Sequence, residues 1–66
     1  MDENWEAMIR ILKQQGGTLE IEYCNEYKAI SVILREKGTT TVDLVPISEI
    51  HQLSETIGIM AKNTLR

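Results

Sequence analysis

Residues 18–45 read TLEIEYCNEYKAISVILREKGTTTVDLV, and this stretch decides the fold. From Thr18 to Cys24, Leu19, Ile21 and Tyr23 alternate with Glu20, Glu22 and Cys24, the period-two signature of a strand with one buried face. Residues 27–35 and 39–45 give two further strands rich in β-branched side chains. Short connections between them make an antiparallel meander.

Register follows from parity, because a slip of one residue turns every side chain to the opposite face. With Asn25-Glu26 as a two-residue loop, Cys24 pairs with Tyr27, Ile21 faces Ile30 and Leu19 faces Val32. With Glu36-Lys37-Gly38 as a three-residue loop and Gly38 left-handed, Arg35 pairs with Thr39, Val32 with Val42 and Ile30 with Leu44. A two-residue Lys37-Gly38 loop would set Val32 against Asp43, and the apolar match rejects it. The expected core face is therefore Leu19, Ile21, Tyr23, Ile30, Val32, Leu34, Val42 and Leu44. The other face carries Glu20, Glu22, Cys24, Ala29, Ser31, Ile33, Arg35, Thr41, Asp43 and Val45.

Outward from the meander, both flanks read as helices. Over residues 3–15, Trp5, Met8, Ile9 and Leu12 recur at helical spacing. Asp2 is placed to cap this helix, and Gly16-Gly17 to end it. Pro46 closes the third strand, and a second helix over residues 47–62 carries Ile50, Leu53, Ile57, Met60 and Ala61 on one stripe. Ser48 is its expected N-cap, with Pro46 in the first turn as the alternative; residues 63–66 are expected to fray. Gly58 inside this helix costs about 1 kcal/mol relative to alanine, which points to a close helix approach or to simple tolerance. The order is α-β-β-β-α, an α+β domain spanning residues 1–66.

Sixty-six residues form a domain that buries only about 60% of its unfolded surface. Small scaffolds make up that deficit with disulfides, a metal or a partner chain. One cysteine, Cys24, excludes an internal disulfide, and one Cys with one His cannot complete a structural zinc site. Self-association or unusually good packing remains, and self-association is the expectation. The middle strand points the same way, since Ala29 to Leu34 is almost continuously apolar, as in a strand covered on both sides. Two helices cover one side; a second copy is the expected cover for the other, with Ala29, Ser31, Ile33 and Val45 as its interface.

Net charge is −3, with six acids against Arg10 and Lys13 in residues 1–26. No basic stripe tracks a phosphate backbone, so nucleic acid is disfavoured as a partner. The N-terminus has no basic-then-apolar leader, and no apolar run is long enough to cross a bilayer. With an unpaired thiol, this predicts a soluble cytoplasmic protein.

The catalytic inventory is thin, and no cofactor or metal is expected. Cys24 and His51 lack a third orienting group and a family signature around the cysteine. Glu20 and Glu22 share a strand face but read as guards of a sheet margin, with no cation directly opposite. Gln15-Gly16-Gly17-Thr18 runs from helix to strand, the wrong order for a nucleotide loop. Trp5, Tyr27, Arg35, Thr39 and Thr41 are the side chains available to hold a ligand: aromatics anchor interfaces, and hydroxyls with a guanidinium suit an anion. Trp5 and Tyr23 are also explained by packing, and the threonines by strand propensity.

These readings lead to a non-enzymatic binding protein, a homo-oligomer capturing a protein or a small anionic, nucleotide-like ligand at a subunit boundary. In length and composition, with no motif carrying the likeness, the chain is similar to compact phage-encoded proteins that inhibit host defences or sequester nucleotide signals. The alternatives are a DNA-associated or transcriptional accessory protein, disfavoured by the acidic balance and the lack of a helix-turn-helix pair, and an enzyme subunit completed elsewhere.

Overall fold

In the computed structural model, which describes residues 2–64, the first helix is bounded by its own caps. Helix α1 (Glu3–Gln15) begins where the Asp2 carboxylate accepts the Asn4 backbone N–H at 2.7 Å. It ends where Gly16 turns left-handed (φ 74°) and donates its N–H to the Leu12 carbonyl at 2.8 Å. Gly17 then carries the chain past the end of the sheet, and a Cβ there would lie 2.6 Å from the Arg35 carbonyl oxygen.

The sheet is antiparallel, in the order β1 (Thr18–Cys24), β2 (Ala29–Glu36), β3 (Thr39–Pro46). Between β1 and β2, Leu19 pairs with Leu34, Ile21 with Val32 and Tyr23 with Ile30. This differs by two residues from the expected register, because the connection is the four-residue turn 25–28. Lys28 closes it in the left-handed region (φ 51°), with its Nζ donating to Asn25 Oδ1 at 3.0 Å. Tyr27 therefore lies in the turn rather than in β2. An even shift preserves the faces, so the parity of β1 and β2 stands.

The β2–β3 register overturns the expectation. The loop is the two-residue Lys37-Gly38, with Gly38 left-handed (φ 66°), so Val32 faces Asp43, Ile33 faces Val42, Ser31 faces Leu44 and Ile30 faces Val45. The rejected pairing is the real one. Matching apolar side chains across the two strands presupposed that the helices overlie β3. Cover on the helix side reaches only Val45 at the end of β3; Thr39, Thr41 and Asp43 are exposed. Polar residues there lose no hydration, so nothing forces Val42 and Leu44 inward.

After β3, Ile47 donates its N–H to the Lys28 carbonyl at 2.9 Å, extending the ladder by one bond. The chain then forms a 3-10 segment, Ile47–Gln52, kinked at Glu49 (φ −122°, ψ 29°), before helix α2 (Leu53–Thr64). Pro46 occupies the N-cap position with no side-chain hydrogen bond, so Ser48 is not the cap. The helix runs on through Asn63 and Thr64, expected to fray; Leu65 and Arg66 lie outside the described residues.

Both helices cover the same sheet face. The buried cluster is Met8 and Ile11 of α1, Val32 and Leu34 of β2, and Ile57, Met60 and Ala61 of α2, with Trp5, Leu12, Leu19, Ile30 and Leu53 packed around it. Each fully buried Leu, Ile, Val or Met contributes about 1.5–3 kcal/mol relative to exposure. Ile21 and Tyr23, expected in this core, are 42% and 52% exposed. The helix pair sits over β2 and leaves Ile21 and Tyr23 of β1 and Thr39, Thr41 and Asp43 of β3 open. At its N-terminal end α1 is stitched to α2: Asn4 Nδ2 donates to Ser54 Oγ at 3.1 Å, and Ser54 Oγ donates to the Asp2 carboxylate.

Candidate interaction surface

The side of the sheet away from the helices presents twelve positions fixed by the register. They are Thr18, Glu20, Glu22 and Cys24 from β1; Ala29, Ser31, Ile33 and Arg35 from β2; and Thr40, Val42, Leu44 and Pro46 from β3. Val42 and Leu44 are 55% and 53% exposed beside half-buried Ile33. These three residues make an apolar area at the β2–β3 side. The β1 side is polar, with Ser31 Oγ donating to the Glu22 carbonyl at 3.4 Å.

Arg35 Nε donates to Glu20 Oε2 at 2.9 Å, reaching diagonally across the β1–β2 pair. The expectation that Glu20 lacks a cation directly opposite holds, yet the diagonal neighbour supplies one. Both side chains are well exposed, so the pair is worth about 0.2–1 kcal/mol. Its larger effect is to occupy Arg35, one of the side chains expected to hold a ligand.

Of the expected interface residues, Ala29, Ser31 and Ile33 lie on this surface. Ala29 is only 3% exposed and offers a partner little area. Val45 is a correction: paired with Ile30 on the helix side, it is 3% exposed and belongs to the interior. Val42 and Leu44 take its place. The signal that could have found them is Lys37-Gly38 itself, a short glycine turn directly before Thr39.

The expected ligand residues do not converge. Thr39 and Thr41 line a cleft of about 480 Å³ on the helix side, between β3 and the end of α2, together with Glu36, Asp43, Asn63 and Thr64. Its charged groups are two carboxylates, a poor setting for an anion. Arg35 is on the opposite sheet face. Tyr27, 66% exposed, sits in the β1–β2 turn at the other end of the sheet, and Trp5 packs against the core. Cys24 is half-buried at the end of β1, His51 is exposed in the 3-10 segment, and no hydrogen bond joins them among the described residues.

Compared with protein-family models, with curated proteins and with solved structures, the chain matches none. Among the described residues no helix is long and apolar enough to cross a membrane.

Proposed function

We propose that this chain is a non-enzymatic binding protein that works as a homo-oligomer, with the uncovered sheet face as its contact surface. The observation that carries this reading is the exposure of Val42 and Leu44 beside Ile33. Clustered exposed apolar side chains favour cover by a protein surface. Covering the exposed half of Val42 and of Leu44 would contribute roughly 1 kcal/mol each. A small core leaves such a contribution significant to the stability of the whole chain.

The captured target is another protein or a small ligand held at the subunit boundary. A ligand rich in donors fits the Thr39 and Thr41 cleft better than the anion suggested by the residue inventory, because Glu36 and Asp43 repel negative charge. Capture of this kind serves inhibition or sequestration, in the style of the small phage proteins that the chain is similar to in length and composition. A cytoplasmic setting suits its single free cysteine.

Sedimentation velocity at micromolar concentration tests the assembly. A species heavier than the 7.5 kDa chain is expected, and a stable monomer overturns the reading. Ile33→Glu places a charge at the centre of the face and is expected to lower the assembled mass. Unchanged mass and melting in that variant would move the contact away from this face.

A further inference from the structure

We infer that the free edge of β3 is a second contact between copies, where another chain adds its own β3 in antiparallel register about a two-fold axis through Val42. This rests on the reading of the chain as a homo-oligomer and goes beyond the face contact.

The backbone shows which groups are free. Ile47, directly after β3, donates its N–H toward β2, to the Lys28 carbonyl. Successive residues of an antiparallel strand send their N–H and C=O to opposite sides. Thr41, Asp43 and Val45 therefore bond to β2, while Thr40, Val42 and Leu44 turn both groups to the open edge. Pro46 falls on the open side, where its missing N–H costs no ladder bond. The side chains of Thr40, Val42 and Leu44 are those on the uncovered face. One set of residues thus supplies both the free hydrogen-bonding groups and the exposed apolar surface.

The side chains select the register. Outward groups must meet outward groups, so Val42 faces Val42 of the second copy, Thr40 faces its Leu44, and Thr41 faces its Asp43 on the helix side. All three outward donors of each copy are then used. Sliding by one step in one direction sets Asp43 against Asp43 and Thr40 against Pro46, which has no N–H to give. Sliding the other way sets Leu44 against Gly38 in the turn. Exposure of Thr39, Thr41 and Asp43 shows that α2 does not overhang this edge.

The opposite margin excludes the same arrangement. A two-fold pairing of β1 centred on Ile21 sets Glu20 against Glu22 of the other copy; centring on Glu20 or Glu22 sets each against itself. Like charges directly opposite destabilise a strand pair, and such acids guard an edge. β3 carries only Asp43, which meets a threonine. Two copies so joined form a continuous six-stranded sheet, twice the three strands of one chain. Val42 and Leu44 of both copies become one apolar band across the boundary.

The test uses helix-side positions, which stacking through the uncovered face cannot bring together. Thr41→Cys and Asp43→Cys are made separately in full-length chains carrying Cys24→Ser, then mixed in equal amounts and mildly oxidised. Directly opposed residues of a non-hydrogen-bonded pair have Cα atoms about 4.5 Å apart, within disulfide reach. Mixed disulfide dimer is expected to exceed the dimer from either variant alone by about tenfold. Equal yields overturn the inference. Thr40→Pro, which removes an outward donor only, is expected to abolish the mixed disulfide with an unchanged circular dichroism spectrum; persistence of the cross-link also overturns it. A wild-type assembly sensitive to Ile33→Glu but giving no mixed disulfide removes the edge contact and leaves the face reading standing. A wild-type monomer removes both.

Discussion

Asn4 of α1 lies over Gly58 of α2 so closely that a Cβ at Gly58 would stand 2.5 Å from Asn4 Cγ and 3.1 Å from its Cβ. The glycine weakens α2 by about 1 kcal/mol of helix propensity, and the close approach lets Asn4 reach Ser54. Gly58→Ala regains the propensity but collides with Asn4, and overpacking costs roughly 1–3 kcal/mol. A net loss of about 1 kcal/mol is expected, a fall in Tm of about 4–8 °C for a domain of this size, read by thermal denaturation.

Acid sensitivity follows from the same corner. The Ser54 hydroxyl, and after it the Asn4 backbone N–H, hold the Asp2 carboxyl below its ordinary value of 3.8. A depressed folded pKa adds stability above the unfolded value, and that stability is lost as pH falls through the folded one. Urea midpoints measured below about pH 4 should therefore fall less steeply for Asp2→Asn than for the wild type. Parallel curves would show that Asp2 is not linked to folding.

The two adjacent glycines after α1 should respond differently to alanine. Gly16 is left-handed with open space around its Cα, so Gly16→Ala is expected to cost about 1 kcal/mol. At Gly17 the obstacle is the Arg35 backbone oxygen, which cannot rotate away. Gly17→Ala is expected to cost more, roughly 2–3 kcal/mol, in chemical denaturation.

Register in β3 has a direct check. Val45 is buried and Val42 is more than half exposed. Val45→Ala should remove about 2 kcal/mol from unfolding free energy, whereas Val42→Thr should change it by less than about 0.5 kcal/mol in dilute protein. The reverse order would mean that β3 is flipped.

What was legible in the sequence was local. The bounds of α1 and β1 coincide with expectation because Asp2, Gly16 and the Leu19-Ile21-Tyr23 alternation act within a few residues. The β1–β2 turn was legible in parity but not in length, since nothing marks Lys28 as the residue to adopt a positive φ. The start of α2 was hidden by the kink at Glu49. The face of β3 was misassigned because it depends on how far two short helices reach across a sheet. For the surface, Ser31 and Ile33 were legible from β2 alone; Val42 and Leu44 needed the true loop length.

The Lys37-Gly38 turn sets the phase of β3 against the rest of the sheet. One inserted residue there would rotate β3 by half a strand period, turning Val42 and Leu44 to the helix side of the sheet and Thr41, Asp43 and Val45 to the open side. The hydrophobic residues themselves would be unchanged. A single codon insertion would thus carry Val45 out of the interior and change which side chains each face of the sheet offers, with every residue retained.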